Sequence, residues 1–249
     1  MPSRQPSKTT RVKKGMSKKI QFGCYYAAYN NEKATRFVLE NFRKHFPENP
    51  ILLISDGGDD FSHLAKEFNC GYEQLHNIFE PKEDMYCSAR MSEYWKRLKS
   101  SVDYCNKEYL MILEDDVYIR NYFEIDRHFD LCGSRKGAKF SSYVKEDIKE
   151  AVSKDVQIYG MCGGSFFNTE TFNKIYDDVI LDINDNHDEK IKKETDKWCS
   201  LGSTDSSITY HFYKRGYEYE VNPWMIEVRE NSRWRETSHP IVHEYKEKY

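Results

Sequence analysis

The stretch YLMILEDDVYI, Tyr109–Ile119, decides the fold that this sequence predicts. An apolar run gives way to three consecutive acids, Glu114, Asp115 and Asp116, and then resumes. Adjacent carboxylates repel one another, so a buried strand that ends on them requires a compensating partner. A hard divalent cation with oxygen ligands is the simplest such partner. The alternative is an exposed acidic turn that caps the next helix, but another apolar triplet rarely follows such a turn directly.

The first half of the chain alternates between two kinds of segment. Unbroken apolar runs predict buried strands, and apolar residues at helical spacing predict amphipathic helices. This alternation predicts an α/β fold with a parallel, doubly wound sheet whose strands are buried on both faces. An asparagine at the start of the first helix is expected to cap it. The predicted strands are Ile20–Ala28, Pro50–Gly58, Cys70–His76 and the opening stretch, and the predicted helices are Asn30–Phe46, Phe61–Cys70 and Cys87–Asn106.

The second half of the chain is less regular. Ile158–Asn168 predicts a strand, a Gly-Gly turn and a second strand. A helix capped by Thr169 follows, and then a strongly charged segment up to Trp198 that indicates a helix or a loop. Ser203–Gly216 predicts another helix, capped by one of its first three residues and closed by its glycine. Tyr217–Glu230 predicts one or two strands.

Acidic residues end two of the predicted strands. Asp56 ends the second strand, and the three acids of the opening stretch end the fourth. Because α/β sheets bind ligands beyond the carboxyl ends of their strands, we expect a ligand site there. Mg²⁺ or Mn²⁺ typically takes one or two carboxylates and leaves other positions to water and substrate phosphates. In an extended chain neighbouring side chains diverge, so one of Asp115 and Asp116 can hold the metal while the other reaches a ribose hydroxyl or another partner.

The charge of the chain is unevenly distributed. Residues 1–19 carry seven basic residues and no acid, whereas residues 20–249 have a net charge of −10, against −3 for the whole chain. We predict a disordered basic tail over 1–19 and a single domain over 20–249. The tail is a solvated leader or linker, or else a tether to nucleic acid or to an acidic membrane. The acidic body argues against a nucleic-acid-binding domain, which needs a basic surface.

The seven cysteines are scattered, odd in number and without a C-x-x-C pair. Several lie in apolar segments, where cysteine packs as a small hydrophobe, and this favours a reducing compartment. No run reaches the roughly 18 apolar residues that a membrane span needs. We therefore expect a cytoplasmic protein without a membrane span.

The order of the elements, together with LMILEDDV, resembles the GT-A class of nucleotide-sugar-dependent glycosyltransferases over residues 20–246. More loosely, the chain is similar to the small glycosyltransferases of large algal DNA viruses. The resemblance implies a Rossmann-like mixed sheet with a parallel core flanked by helices. It also implies that the acid motif binds Mn²⁺ or Mg²⁺ and, through it, the diphosphate of a sugar nucleotide.

The resemblance implies roles for residues on both sides of the acid motif. Asp56 in LLISDGGDD looks like the acid that contacts the base or the ribose. The segment IVHEYK resembles a C-terminal segment in which a histidine, here His243, joins Asp116 on the metal and a lysine, here Lys246, contacts the phosphates. From the residues alone, His243 is also compatible with a structural role and Lys246 with a solvated charge.

Three further segments carry candidate residues. Gly163 and Gly164 in GMCGGSFF resemble the small-residue segment that lines the sugar pocket, although the same glycines suit a hairpin. Asp205 in WCSLGSTDSSI resembles the catalytic base of inverting members, although an aspartate at a helix start is also a common cap. Arg90, near the start of a predicted helix, is placed to reach the diphosphate or the base, or to form a surface salt bridge instead.

Together with these residues, the resemblance implies a metal-dependent hexosyl- or pentosyltransferase. It would move a sugar from a UDP-linked donor to a hydroxyl of a glycan or glycoprotein acceptor, with inversion and Asp205 as base. One rival is a metal-dependent phosphohydrolase, which needs further carboxylates for a second metal. The other is a non-catalytic module that binds nucleotide sugars or glycans, and it would tolerate the loss of Asp205.

Overall fold

The computed structural model describes residues 19–75, 88–134, 161–186, 204–228, 233–243 and 245. None of the helices among these residues is long and apolar enough to cross a membrane. The strands are β1 Phe22–Ala28, β2 Ile51–Asp56, β3 Gly71–Leu75, β4 Tyr109–Leu113, β5 Tyr118–Ile119, β6 Leu131–Gly133, β7 Phe166–Asn168, β8 Tyr219–Val221, β9 Met225–Glu227 and β10 Ile241–His243. The helices are α1 Glu32–His45, α2 Ser62–Glu67, α3 Ser88–Cys105, α4 Thr169–Asn186 and α5 Thr204–Lys214, and a 3₁₀ turn spans Trp234–Glu236.

Within the described residues, the central sheet has seven strands in the order β3-β2-β1-β4-β7-β6-β8. Strands β3, β2, β1 and β4 are parallel neighbours, whereas β7 runs antiparallel to both β4 and β6. This arrangement confirms the predicted α/β class, a mixed sheet with a parallel core flanked by helices. Because β2 and β4 lie on opposite sides of β1, the strand order reverses at β1. The ligand crevice of such a sheet opens at that reversal, beyond the carboxyl ends of the strands.

Helices cover both faces of the parallel core, and this explains why its strands are unbroken apolar runs. On one face, Tyr26 of β1 belongs to the same buried cluster as Phe42 of α1. On the other face, Tyr25 of β1 packs in a second cluster with Trp95 of α3 and Phe172 of α4. The rings of Trp95 and Phe172 stack with centroids 5.2 Å apart. Adjacent residues of β1 thus enter opposite cores, as the alternation of a strand requires.

Asparagine side chains cap α1 and α4. Asn31 Oδ1 accepts from the backbone N–H of Ala34 at 3.0 Å, which confirms the asparagine cap that the sequence predicted. The prediction of Thr169 as the cap of α4 is wrong, because Asn168 Oδ1 accepts from the N–H of Thr171 at 2.9 Å. The hydroxyl of Thr169 instead donates to a backbone carbonyl in the turn before β4, at 2.6 Å.

The opening stretch forms two strands that belong to two sheets. Strand β4 ends at Leu113, and β5 lies in a separate sheet with the order β5-β10-β9. The acids between them form a turn in which the N–H of Val117 donates to the carbonyl oxygen of Glu114 at 3.1 Å. The sequence predicted that the acids end the fourth strand, as they do, but it did not predict the turn or the separate sheet that follows. The turn matters because it brings β10, and the histidine that ends it, next to the acids.

Two predicted segments differ from the structure or extend into residues that it does not describe. Of the two strands expected in Ile158–Asn168, the second forms as β7. Met161 and Cys162 are not part of a strand, and residues 158–160 lie outside the described residues. Helix α4 continues to Asn186, so it takes in the start of the charged segment that was expected to be a helix or a loop.

Candidate metal centre

The carboxylates of Glu114 and Asp116 converge on one imidazole. His243 Nε2 lies 3.3 Å from Glu114 Oε2 and 3.5 Å from Asp116 Oδ1. The three groups offer ligand atoms that all lie within 4.8 Å of one another. The acids remain partly exposed, whereas His243 is only 4% exposed. Two carboxylates and an imidazole nitrogen that meet just beyond the carboxyl end of β4 form a suitable set of ligands for a divalent cation.

The types of donor atom in this cluster restrict the choice of metal. Carboxylate oxygens suit Mg²⁺ and Mn²⁺, whereas an imidazole nitrogen suits transition metals. The combination therefore fits Mn²⁺ better than Mg²⁺. Three protein ligands also leave open positions, which a substrate oxygen can fill.

The protein environment of His243 raises the proton affinity of its ring. Burial lowers the pKa of His243, but the neighbouring Cys162, Glu114 and Glu227 outweigh it, so this pKa lies well above its usual value. In the absence of a cation, a protonated imidazole supplies the positive charge that the surrounding acids require. A metal bound at Nε2 would replace that proton.

Asp115 points away from this cluster. Its Oδ1 accepts a hydrogen bond from the hydroxyl of Tyr26 at 2.7 Å. Tyr26 is fully buried on β1, so it fixes the carboxylate at the reversal of strand order. The expected divergence of Asp115 and Asp116 is present, but a turn causes it rather than an extended strand. Contact of Asp115 with a ribose stays a prediction.

The C-terminal segment is attached to the acid turn by its backbone and by stacked rings. The N–H of Tyr245 donates to the carbonyl oxygen of Asp116 at 2.9 Å. The ring of Tyr245 stacks on Tyr118 with centroids 4.8 Å apart and on Phe37 of α1 at 6.0 Å. These contacts hold the end of β10 beside the acids. Lys246, the predicted phosphate contact, follows directly but lies outside the described residues.

The two candidate glycines pack closely against other segments, Gly163 against the acid turn and Gly164 against β9 and β10. A Cβ on Gly163 would lie 2.5 Å from Val117 Cγ2 and 3.0 Å from Glu114 Cβ, so only glycine permits this approach to the acid turn. Gly164 has φ +94°, a conformation that other residues rarely adopt. The pair therefore does more than close a hairpin. Their contact with a donor sugar stays a prediction.

Asp56 ends β2 as expected, and it is almost fully buried. Its Oδ1 accepts from the guanidinium of Arg97 on α3, which is also buried. A buried ion pair of this kind is costly to break, because it leaves one charge unpaired. Arg97 was not a sequence candidate, since a basic residue on an amphipathic helix indicates a solvated face. Contact of Asp56 with a base or ribose stays a prediction, and Arg97 would act beside it.

For Asp205 and Arg90 the structure gives only their places on the helices. Asp205 lies in the first turn of α5 and Arg90 in the first turn of α3, but neither side chain is among those described. The start of α5 is attached to α3, because Trp95 Nε1 donates to Ser207 Oγ at 3.0 Å. The turn that carries Asp205 therefore has a defined position relative to the sheet.

Two residues on the buried side of the candidate metal ligands were not predicted from the sequence. Glu227 on β9 lies 3.6 Å from His243 Nδ1, measured from its Oε1. Cys162 Sγ donates to the same oxygen at 3.4 Å. No sequence motif marks either residue, because β9 and β10 become neighbours only through the second sheet. The one available hint was a glutamate within a short apolar strand.

No protein-family model matches the chain, and no curated protein matches it in sequence. Among solved structures, the chain is similar to a glycosyltransferase involved in the glycosylation of the major capsid of PBCV-1. The two are 12% identical over 90% of this chain and 92% of that chain, with a TM-score of 0.46. A likeness at this level assigns no function, so function has to rest on the chemistry of the site.

Proposed function

We propose that the chain is a metal-dependent glycosyltransferase of the GT-A class. It transfers a hexosyl or pentosyl group from a UDP-linked sugar to a hydroxyl group of a glycan or glycoprotein. The observation that carries the proposal is the convergence of Glu114, Asp116 and His243 at the carboxyl edge of the parallel core. That edge adjoins the reversal of strand order, where α/β sheets bind their ligands.

The negative charge of the acid turn makes a cation necessary for this function. A diphosphate would be repelled by Glu114 and Asp116, so a site lined by these residues binds it only through a metal. When the bond between the anomeric carbon and the phosphate breaks, the departing diphosphate gains negative charge. A divalent cation would neutralise that charge, and this stabilisation would be largest in the transition state. Lys246, which follows the described end of the chain, would add a second positive charge.

The remaining candidates have roles around this centre. Asp205 accepts the proton of the acceptor hydroxyl as the new glycosidic bond forms. The base and the ribose bind at the reversal of strand order. They contact Asp56, which is paired with Arg97, and Asp115, which accepts a hydrogen bond from Tyr26. Arg90, which lies on the same helix as Arg97, contacts the diphosphate or the base.

The rival phosphohydrolase predicts two metals held by additional carboxylates around the acid turn. Among the described residues, the acid next to this cluster is Glu227, and it lies on the Nδ1 side of the His243 ring rather than on the Nε2 side. This geometry favours one cation over two. A non-catalytic binding module would have the same site, so only a measurement of turnover distinguishes it from an enzyme.

A donor-hydrolysis screen tests the proposal. The full chain is incubated with a panel of UDP- and GDP-sugars, each with and without Mn²⁺, and release of the nucleoside diphosphate is measured. We expect release from a UDP-sugar that depends on Mn²⁺. A parallel melting experiment should show that UDP raises the melting temperature only when Mn²⁺ is present. Stabilisation without hydrolysis would indicate the binding module, and absence of both would contradict the proposal.

A further inference from the structure

We propose that Glu227 and Cys162 position His243, so that its Nδ1 carries the proton and its Nε2 lone pair faces the cation between Glu114 and Asp116. This inference rests on the proposed function, because it assumes a metal at that place. It assigns a role to two buried polar residues that the transfer reaction itself does not use.

The pairing of two strands brings Glu227 and His243 together. Strands β9 and β10 are parallel neighbours, and Glu227 is directly opposite His243 in their register. In-register neighbours project from the same face of a sheet, so the two side chains meet. Both are buried, with 2% exposure for Glu227 and 4% for His243. A glutamate at such a position is costly unless it serves a charged or hydrogen-bonding partner.

The two ring nitrogens of His243 face different acids. Nε2 lies 3.3 Å from Oε2 of the partly exposed Glu114, whereas Nδ1 lies 3.6 Å from Oε1 of the buried Glu227. A histidine that binds a metal usually donates its other N–H to a carboxylate, which fixes the tautomer and makes the ligand nitrogen more basic. The 3.6 Å separation is an ion-pair contact, and we expect it to shorten into a hydrogen bond when Nε2 binds a cation.

Cys162 orients the carboxylate in turn. Its thiol donates to Glu227 Oε1 at 3.4 Å, the same oxygen that faces the imidazole. Cys162 directly precedes Gly163, which packs against the acid turn. The thiol therefore links the glycine segment to the second sheet, and it limits the rotation of the carboxylate that holds the ring.

A second metal site is the competing interpretation of the same three residues. Ligand atoms of Cys162, Glu227 and His243 also lie within 4.8 Å of one another, and all three residues are buried. A thiolate would favour a soft ion such as Zn²⁺ or Cd²⁺ over Mn²⁺. Two equivalents of a soft ion bound per chain, the second of them lost in Cys162→Ser, would overturn the positioning role.

The first test measures Mn²⁺ binding by the full chain without any donor, by titration calorimetry. Glu227→Gln keeps the shape and removes the charge, and Glu227→Leu removes both charge and acceptor. We expect Mn²⁺ to bind roughly 10–100-fold more weakly to these variants, with the larger loss for leucine. Cys162→Ser should change the affinity little, because a serine hydroxyl can still donate. Glu220→Gln on β8, which removes a glutamate that pairs with Arg127 on the surface, is the matched control and should bind Mn²⁺ like the parent.

The melting temperature of each variant separates positioning from general stability. A merely structural role predicts that Mn²⁺ affinity falls only where the melting temperature falls. The positioning role predicts weaker binding in Glu227→Gln at an unchanged or higher melting temperature. Equal Mn²⁺ affinity in Glu227→Leu and the parent would overturn the inference.

A second measurement does not depend on the metal. Nitrogen-15 NMR of the metal-free chain, at an alkaline pH at which the His243 imidazolium has lost its second proton, should find the remaining proton on Nδ1 in the parent and on Nε2 for a larger fraction of Glu227→Leu molecules. A proton on Nε2 in the parent would overturn the inference even if the enzyme transfers sugar. The Nδ1 tautomer in a parent that binds no Mn²⁺ would support the positioning role and contradict the metal-dependent function.

Discussion

The backbone N–H of Tyr245 donates to the carbonyl oxygen of Asp116, with 2.9 Å between nitrogen and oxygen. This bond joins two segments that are far apart in the chain, the acid turn and the residue just beyond β10. It places Asp116 and His243 in one rigid unit, because His243 ends β10 and β10 pairs with β5 on the far side of the turn. The proposed metal ligands therefore lie at the end of β10 and in the short turn between β4 and β5, rather than in a long loop.

Asp116→Ala should abolish metal-dependent binding of a nucleoside diphosphate and leave the fold intact. Asp116 is one of the two carboxylates next to His243 Nε2, and its loss leaves too few negative oxygens to hold the cation. Glu114→Gln should weaken binding less, because an amide oxygen remains in place. Titration calorimetry with UDP and Mn²⁺ measures both effects.

The control for this prediction is Asp103→Asn. Asp103 is an exposed residue on α3 that pairs with Lys99, so its variant should bind UDP and Mn²⁺ like the parent. Equal affinity in Asp116→Ala and the parent would remove the acid turn from the donor site.

Tyr26→Phe should destabilise the chain and weaken donor binding together. The Tyr26 hydroxyl donates to Asp115 Oδ1 at 2.7 Å, and a hydrogen bond to a charged group contributes about 1.5–3 kcal/mol. We expect a loss of about that size in the free energy of unfolding, measured in urea. Tyr72→Phe is the control, because Tyr72 donates to the exposed Asp60 and should have the smaller effect on both quantities. Donor affinity that is unchanged in Tyr26→Phe would mean that Asp115 does not contact the nucleotide.

Much of the fold follows from short-range patterns, whereas the rest of the site depends on long-range pairing. The apolar runs of β1, β2 and β4 predicted the parallel core because both faces of that core are covered by helices. The acids at the ends of strands predicted where the site lies. Glu227 and Arg97 escaped prediction, since their roles arise only when β9 meets β10 and when α3 packs on β2. The turn after Leu113 was likewise not predicted, because a strand pattern in the sequence does not show where the chain turns.

Gly163→Ala should impair metal binding through the acid turn. The added Cβ would lie 2.5 Å from Val117 Cγ2 and 3.0 Å from Glu114 Cβ, so the turn has to shift. We expect weaker Mn²⁺ binding and a lower melting temperature. Gly216→Ala is a useful contrast, because its φ of +83° costs stability while no atom lies near the added Cβ. Weaker Mn²⁺ binding in Gly216→Ala than in Gly163→Ala would show that general destabilisation, and not displacement of Glu114, causes the loss.

Asp205→Asn should separate catalysis from binding. A general base acts in the transition state, so its loss should leave the affinity for UDP and Mn²⁺ nearly intact. The rate of sugar transfer should fall by roughly 10²–10⁴, the usual range for a lost general base. Transfer to an acceptor, followed under saturating donor, and calorimetric binding of UDP with Mn²⁺ together test this separation.

The alternative role of Asp205 as a helix cap makes the opposite prediction. Asparagine caps a helix about as well as aspartate, so a mere cap would leave rate and stability almost unchanged. Two further variants serve as controls for Asp205→Asn. Asp178→Asn, an exposed position on α4, should transfer sugar like the parent. Trp95→Phe removes the hydrogen bond to Ser207 that holds the start of α5, so it should lower the rate without removing the base. If Asp205→Asn transfers sugar at nearly the parental rate while Trp95→Phe is slow, α5 matters only as a support. The base would then be another carboxylate, or the enzyme would retain the anomeric configuration.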